Sequence, residues 1–286
     1  MMIFIERTTL SSFSEELAKR TENISKGHSK IDGISTGFDE LDNLTMGFKP
    51  GDLTLITGVD GMGKTHFLLS LIQKIVFEKK YNAVFFSLQM SKQQVLSKIL
   101  CQQKNISENI VGITNINEME NFPLYLNDFP ALTVSDIEET LSCVPPDFAK
   151  IIMLDSLELL SINKKDKVGK ILNKRELTKI VFKLKNLALK LNIPIVLLSN
   201  LKLAQKEIGK NLSRRPTLLD LRTYAPIDTY ADLILLLYRP EYYKIKDWDD
   251  EENKSTDGEA EIIIAKSNYG KLANVRIKWN VFKDFI

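Results

Sequence analysis

The stretch from Gly58 to Thr65 constrains the fold of this chain more than any other. It reads GVDGMGKT and fits the pattern G-x-x-x-x-G-K-[ST] throughout. The apolar stretch DLTLITG precedes it, and the amphipathic stretch THFLLSLIQKIVFEKK follows from its last residue. A glycine-rich turn between a buried strand and a helix directs backbone N–H groups and the positive end of the helix at a phosphate. The sequence therefore predicts a phosphate-binding loop between a strand and a helix.

Apolar stretches of strand length alternate with amphipathic stretches along the chain after Gly33. The strands are predicted at DLTLITG, NAVFFSL, AKIIMLDSL, IPIVLLSN and ADLILLLYR, and the helices at THFLLSLIQKIVFEKK, SKQQVLSKILCQQ and KRELTKIVFKLKNLALKLN. Nearly continuous apolar strands separated by helices indicate an α/β fold, with a mainly parallel twisted sheet covered on both faces. The last two stretches, AEIIIAKS and NVRIKWN, predict a hairpin.

A separate helix is predicted over residues 9–25, ahead of this domain. Its apolar residues recur at helical spacing, at Leu10, Phe13, Leu17 and Ile24. The apolar stripe is narrow, so the helix is expected to dock on a neighbouring subunit or on its own domain. We therefore divide the chain into an N-terminal helical arm, residues 1–30, and one α/β domain, residues 31–286.

Composition restricts the class of protein. Apolar residues make up 44% of the chain and charged residues 27%, which is typical of a soluble globular protein. No apolar run approaches the roughly 18 residues that span a bilayer, so no membrane partner is expected. Cys101, Cys143, His28 and His66 lack the spacing of a zinc site, and free thiols in a cytoplasmic protein are expected. Residues 164–215 carry 15 Lys and Arg against three acids, which indicates either a polyanion-binding surface or solvated helix faces.

A second element of a nucleotide site is Asp155, at the end of the predicted strand IIMLDSL. A carboxylate at that position holds the Mg²⁺ shell, usually through water, while the Thr65 hydroxyl supplies a direct ligand. Lys64 supplies a point charge for the β and γ phosphates. The nucleotide-binding candidates are the residues of the loop and two others: Gly58, Val59, Asp60, Gly61, Met62, Gly63, Lys64, Thr65, His66 and Arg239.

Several blocks of the sequence resemble the motor domain of DnaB-type replicative helicases. They are GISTGFDELDNLTMGFKPGDLTLITGVDGMGKTHFLLSLI, FFSLQMSKQQ, RRPTLLDLRTYAPIDTYADLILLLYRPEYY and AEIIIAKSNYGK, in family order over roughly residues 30–286. The resemblance implies a RecA-like P-loop core that binds ATP with Mg²⁺. It also implies a homo-oligomeric ring, usually a hexamer, with nucleotide between subunits and single-stranded DNA in the central channel. The helix at residues 9–25 would then dock on the adjacent subunit.

The resemblance also implies a mixed set of catalytic positions. The phosphate loop and Asp155 match the family. Gln89 stands where the family carries the glutamate that activates water, and Asn200 where it usually has a glutamine that senses the γ-phosphate. Lys266 keeps the family's trans-acting lysine, while Asn268 stands where the arginine finger would be. The implied catalytic residues are Lys64, Gln89, Asp155, Asn200 and Lys266.

These replacements predict intact ATP binding and slow hydrolysis. A glutamine at position 89 accepts no proton at neutral pH, and general-base help is typically worth about 10²–10⁴-fold. An arginine finger, absent at Asn268, is worth roughly 10³–10⁵-fold. Three explanations for Gln89 stay open at this point. It is native to a degenerate motor, it is an engineered change that traps ATP, or another carboxylate, Glu158 or Asp60, does the work.

The segment NLKLAQKEIGKNLSRRP corresponds to loops that face the ring channel in this family. Contact between its cations and phosphates would be independent of sequence and sensitive to salt, as a translocating motor requires. No aromatic residue lies between positions 202 and 215, so base stacking is not indicated there, and Tyr224 is the nearest stacking candidate. The DNA-binding candidates are Lys202, Lys206, Lys210, Arg214 and Arg215.

Taken together, the motifs favour a DnaB-family, ATP-binding ring protein that acts on single-stranded DNA in replication. A first alternative is a nucleotide-dependent regulator or assembly factor, which would bind a replicative helicase, a loader or itself without translocating. A second alternative is a RecA-fold recombinase or clock-type ATPase. The combination of SLQMS with RPTLLDLR favours the DnaB branch over that second alternative.

Overall fold

The computed structural model describes residues 31–104, 122–166, 169–203, 215–248 and 254–279. The helix predicted over residues 9–25 lies outside them. The described strands are β1 (Leu53–Gly58), β2 (Ala83–Ser87), β3 (Leu124–Asn127), β4 (Ile151–Asp155), β5 (Ile195–Asn200), β6 (Leu233–Tyr238), β7 (Glu259–Ser267) and β8 (Asn274–Lys278). They form one eight-stranded sheet in the order β3-β2-β4-β5-β1-β6-β7-β8.

The sheet is parallel over six strands and antiparallel at one edge. Strands β1 to β6 pair in parallel with their neighbours, whereas β7 pairs antiparallel with both β6 and β8. The predicted mainly parallel sheet and C-terminal hairpin are therefore confirmed. Strand β3 was not predicted, because this four-residue edge strand is only partly buried and lacks a continuous apolar run.

The described helices cover both faces of this sheet. They are α1 (Asp39–Thr45), α2 (Lys64–Ile72), α3 (Lys92–Lys104), α4 (Val134–Ser142), α5 (Lys174–Leu191) and α6 (Leu218–Tyr224). A wider π-helical segment, Gln73–Glu78, continues α2, so the long helix predicted after the phosphate loop is confirmed. None of these described helices is both long enough and apolar enough to cross a membrane.

Two helices that hydrophobic periodicity did not predict, α4 and α6, begin with reciprocal capping boxes. The Thr133 hydroxyl accepts a hydrogen bond from the Asp136 backbone N–H, and the Asp136 carboxylate accepts one from the Thr133 backbone N–H. Thr217 and Asp220 make the same pair of bonds at the start of α6. These helices have nine and seven residues, too few for a repeating apolar stripe, so the T-x-x-D spacing was the available signal.

The strand side chains alternate between two cores, one on each face of the sheet. In β2, Ala83 and Phe85 enter the core under α2 and α3, while Val84 and Phe86 enter the core under α5. All five β2 residues are buried. The apolar pattern of α5 predicts seven inward positions, and six of them are buried, whereas the seventh, Leu191, is partly buried and packs against the same core. The six are Leu177, Ile180, Val181, Leu184, Leu187 and Ala188. A sheet buried on both faces requires apolar residues at successive positions, which explains the continuous apolar runs.

A charged cluster fastens the amino ends of β1 and β6 to α5. The Asp232 carboxylate accepts hydrogen bonds from the Leu53 backbone N–H, at 2.8 Å, and from Lys185 Nζ, at 2.6 Å. Asp52 lies beside this pair, with its Oδ1 3.7 Å from Lys185 Nζ. Burial and the neighbouring Asp232 charge raise the pKa of Asp52 to about 6, and Lys185 opposes them. The ionised form of Asp52 is therefore unfavourable in the folded protein.

We expect Asp52→Asn to raise the free energy of unfolding at pH 8 and to leave it nearly unchanged at pH 4. The folded pKa of about 6 exceeds the ordinary value of 3.8, so stability falls as pH rises between them. A neutral asparagine at position 52 removes this loss of stability with rising pH. Denaturant unfolding from pH 4 to pH 8 measures it, with the exposed Glu78→Gln as control. Equal stabilities of variant and parent at pH 8 would contradict this interpretation.

Candidate nucleotide-binding site

The phosphate loop, residues 58–65, joins the carboxyl end of β1 to the start of α2. Lys64 Nζ donates hydrogen bonds to the carbonyl oxygens of Gly58, at 2.9 Å, and Val59, at 3.1 Å. Asp60 Oδ1 lies 3.7 Å from the same ammonium. Burial lowers the pKa of Lys64, and the Asp60 charge opposes that shift. The loop thus holds a shielded cation, the group that a triphosphate needs.

Two glycines give the loop its close approach to neighbouring rings. Gly61 and Gly63 have φ angles of 82° and 83°, which favour glycine over residues with a Cβ. A Cβ on Gly63 would lie 2.5 Å from Trp279 Cζ2, and one on Gly61 would lie 2.7 Å from Tyr242 Cε2. The loop shape therefore depends on glycine both through its backbone angles and through the space that Trp279 and Tyr242 occupy.

A hydroxyl and a carboxylate meet next to Lys64. Thr65 Oγ1 donates a 2.7 Å hydrogen bond to Asp155 Oδ2, which joins the start of α2 to the end of β4. Burial raises the pKa of Asp155, while Thr65 and Lys64 lower it. Hard oxygen ligands of this kind suit Mg²⁺, which usually takes few protein ligands and completes its shell with phosphates and water. The donor set fits the Mg²⁺ of a bound nucleotide.

Gln89 lies on the exposed bend that follows β2. Ser87 pairs with Asp155 in the register of β2 and β4, and the Leu88 backbone N–H donates a 2.8 Å hydrogen bond to the Asp155 carbonyl oxygen. The fold thus brings the bend that carries Gln89 next to Asp155, although 66 positions separate them in the sequence. Its neutral amide remains unable to accept a proton from water.

Glu158 and Asn200 are joined at the same edge of the sheet. Glu158 belongs to a single 3₁₀ turn, Leu157–Leu159, just after β4. Its Oε1 accepts hydrogen bonds from the Ser199 hydroxyl and the Asn200 backbone N–H, each at 2.8 Å. Tyr224 OH also lies within 3.4 Å of Oε1. Asn200 is the register partner of Gly58 in the pairing of β5 with β1, so this group borders the phosphate loop.

The two remaining nucleotide-binding candidates lie near the loop. His66 is in the first turn of α2, and its carbonyl oxygen accepts a hydrogen bond from Gln102 Nε2 at 3.4 Å. Arg239 follows β6, and its guanidinium lies over the ring of Trp279, 5.2 Å from the centroid. Trp279 is also the ring that Gly63 approaches, so Arg239 borders the loop. Burial lowers the pKa of Arg239, and the Glu241 charge opposes this.

The residues expected to act in trans lie away from the phosphate loop of their own chain. Lys266 Nζ donates hydrogen bonds to the carbonyl oxygens of Asp228, at 2.8 Å, and Ala231, at 2.6 Å. Asn268 Nδ2 donates a 3.0 Å hydrogen bond to Asp232 Oδ1. These contacts are at the amino end of β6, whereas the phosphate loop lies at the carboxyl ends of the parallel strands. Within one chain, the fold does not bring Lys266 or Asn268 to Lys64.

Only the two ends of the predicted DNA-binding set fall within the described residues. Lys202 is exposed just after β5, whereas Lys206, Lys210 and Arg214 lie outside the described residues. Arg215 Nε lies 2.8 Å from Oε2 of the fully buried Glu261, and Nη2 lies 3.3 Å from Oε1. This two-bond ion pair ties Arg215 to β7. The sequence could not indicate the pair, because its members are 46 positions apart.

Known proteins with similar sequence or structure include several replicative helicases. Residues 33–285 match the family described as DnaB-like helicase C terminal domain. The chain is 30% identical over 253 residues to a probable replicative DNA helicase of Trieres chinensis, covering 82% of this chain and 53% of that protein. It is also 30% identical over 239 residues to the replicative DNA helicase DnaB of Geobacillus stearothermophilus, covering 79% and 50%.

Structural similarity covers nearly the whole chain. A solved structure of an ATPase domain superposes with a TM-score of 0.74 at 26% sequence identity, covering 93% of this chain and 94% of that one. The chain spans about half the length of the two curated relatives, at 53% and 50%. Their similarity to this chain therefore concerns only part of each of those proteins.

We expect Gly63→Ala to weaken binding of Mg-ATP by at least about tenfold, or about 1.4 kcal/mol. The added Cβ would meet Trp279 at 2.5 Å and strain a left-handed backbone. Gly169→Ala is the matched control, because Gly169 has a φ of 77° and open space where its Cβ would lie. Titration with a fluorescent ATP analogue measures both variants. Equal losses of affinity in the two would contradict a local effect on the phosphate loop.

We expect Arg215→Gln to lower the free energy of unfolding, at the lower end of the roughly 3–5 kcal/mol that breaking a buried pair costs. The loss arises because the Glu261 carboxylate, 0% exposed, would lose its guanidinium. Lys202→Gln, at an exposed position, is the control and should leave stability within about 0.5 kcal/mol of the parent. Urea unfolding measures both. An unchanged midpoint for Arg215→Gln would remove the structural role assigned to the pair.

Proposed function

This chain belongs to the DnaB-like helicase C-terminal domain family, and we propose that it binds Mg-ATP and hydrolyses it while moving on single-stranded DNA in replication. The observation that carries the proposal is the hydrogen bond from Thr65 to Asp155 beside Lys64. That arrangement supplies a cation for phosphates and two oxygen ligands for Mg²⁺ at the carboxyl ends of β1 and β4, which flank β5. The family relationship supports the assignment of the reaction to a replicative helicase motor.

Each part of the loop has a separate role in this proposal. The Lys64 ammonium exchanges its bonds to the loop carbonyls for bonds to the β and γ phosphates, and charge-assisted bonds of this kind are worth roughly 1.5–3 kcal/mol. Thr65 and Asp155 would hold Mg²⁺, which when bound neutralises phosphate charge. Arg239 and Tyr242, which border the loop, would contact the rest of the nucleotide.

The placement of Lys266 supports a ring. Because Lys266 and Asn268 lie at the edge opposite their own phosphate loop, they can act on a nucleotide only if it belongs to another subunit. We infer a homo-oligomeric ring, a hexamer as in the family, with each site completed by the next subunit. Lys266 would supply the trans-acting charge, and Asn268 supplies none. The replacement lowers the expected rate of turnover.

Single-stranded DNA is the proposed polymer substrate. Lys202 is exposed where β5 ends, directly ahead of the candidates Lys206, Lys210 and Arg214. Cations on such a segment would bind successive phosphates without reading sequence, so affinity should fall steeply with salt. Arg215 contributes to this surface by fixing the end of the segment to Glu261, which assigns it a positioning role in the proposal.

A regulator that binds nucleotide without translocating is the second candidate. Two observations favour it: the amide at Gln89, and the hydrogen bond that holds Asn268 on Asp232 of its own chain. Such a protein would use the ring interface to bind a replicative helicase, a loader or another copy of itself. It would bind ATP with the same loop, so ATP binding alone does not separate the two candidates.

Turnover of ATP with and without single-stranded DNA tests the proposal. We expect slow turnover that DNA stimulates severalfold, and we expect Lys64→Met to weaken ATP binding by roughly 10–150-fold through loss of charge-assisted bonds. Steady-state phosphate release and nucleotide titration measure the two effects. ATP binding with turnover that DNA does not change would favour the regulator over the motor. Loss of ATP binding in the parent itself would rule out both candidates.

A further inference from the structure

We propose that Glu158 is the catalytic carboxylate that orients and deprotonates the attacking water, in the role that Gln89 cannot fill. The inference rests on the proposed ATP hydrolysis and names a residue for its proton transfer. Glu158 follows Asp155 by three positions and lies in the 3₁₀ turn that leaves β4 at the phosphate-loop edge of the sheet.

The surroundings of Glu158 place it beside the phosphate loop. It accepts a hydrogen bond from the backbone N–H of Asn200, which pairs with Gly58 in the register of β5 and β1. The next residue, Leu201, donates its backbone N–H to the Gly58 carbonyl oxygen at 3.0 Å. Lys64 Nζ donates to that same carbonyl oxygen. A short chain of hydrogen bonds therefore links the Glu158 carboxylate to the cation of the loop.

The two oxygens of this carboxylate have different surroundings. Oε1 accepts from the Ser199 hydroxyl and the Asn200 N–H, with Tyr224 OH at 3.4 Å. Oε2 is buried, and within the described part of the chain it has no hydrogen-bond partner. A buried carboxylate oxygen normally requires a donor, and water is the usual one where protein groups are absent. The side chain is thus fixed through one oxygen, and the other has no donor from the described part of the protein.

The donors around Oε1 keep the carboxylate in one orientation. Burial and the nearby Glu158 charge raise the pKa of the Tyr224 phenol, so Tyr224 stays protonated and acts as a donor at neutral pH. Ser199 and Asn200 belong to the end of a central strand, whose position is fixed on both sides by β1 and β4. Rigid support of this kind is what an efficient general base needs.

The other two candidates for this role are less suited to it. Gln89 is exposed and its amide cannot take a proton at neutral pH. Asp60 can take one, but its side chain is 84% exposed and lies within 3.7 Å of Lys64. Of these three side chains, only Glu158 combines a proton-accepting group with partial burial and a fixed orientation. The alternative is that Glu158 has only a structural role, as the hydrogen-bond acceptor that holds the end of β5.

The proposed step balances without any further reactant. The water oxygen forms a bond to the γ-phosphorus while the bond from that phosphorus to the bridging oxygen breaks, and the electron pair stays on ADP. The proton of the water passes to Oε2 of Glu158. It then leaves to phosphate or solvent, which returns the carboxylate to its ionised form.

Glu158→Gln tests the proposal, because the amide oxygen keeps the Oε1 contacts while the other terminal atom can no longer accept a proton. We expect kcat to fall by roughly 10²–10⁴-fold. Binding of Mg-ATPγS should stay within about threefold of the parent. Binding of ADP with aluminium fluoride, which mimics the reacting phosphate with its water, should weaken by at least about tenfold. Glu40→Gln, an exposed glutamate on α1, is the matched control and should change none of these values.

Gln89→Glu tests whether the base acts from position 158 or from position 89. If Glu158 is the base, this change has a small effect alone and partly restores turnover to Glu158→Gln. The proposal is overturned by an unchanged kcat in Glu158→Gln, or by loss of ATPγS binding together with a lower melting temperature, which would indicate the structural role. Absence of turnover in a parent that binds ATP also overturns it while nucleotide binding stands. A parent that does not bind ATP refutes the proposed function itself.

Discussion

The parallel alignment of β2, β4, β5 and β1 is the constraint on which the site depends. Parallel strands end at the same edge of a sheet, so residues that are far apart in sequence become neighbours there. Ser87, Asp155, Asn200 and Gly58 close these four strands, and backbone pairing sets their order along the edge. The phosphate loop, Asp155 and the Glu158 turn all follow from that alignment, because each lies where one of these strands stops.

The sequence was most informative where one local pattern determines both structure and chemistry. The loop from Gly58 to Thr65 predicted the strand before it and the helix after it, and both are present. The same residues support the proposed nucleotide, because glycine, lysine and threonine at these spacings serve few other purposes. Asp155 was predicted by the same logic and does meet Thr65. The continuous apolar runs predicted β1, β2, β4, β5 and β6, yet not β3, whose four residues are only partly buried.

Short sequence patterns could not predict contacts between side chains that are far apart in the sequence. Arg215 was predicted as one more cation of a basic segment, yet its guanidinium binds Glu261 on β7. The role proposed for Glu158 likewise depends on Ser199 and Tyr224, which reach it from other elements of the fold. In each case the side-chain type was visible in the sequence, but its partner was set by strand order, which no short window contains.

The contacts of Glu158 have a mechanical consequence for the two elements that it joins. One carboxylate oxygen lies within hydrogen-bonding distance of Asn200, at the end of β5, and of Tyr224, at the end of α6. Because both elements share this acceptor, a change that moves the Glu158 side chain disturbs them together. The end of β5 and the helix α6 are thus coupled through a single side chain.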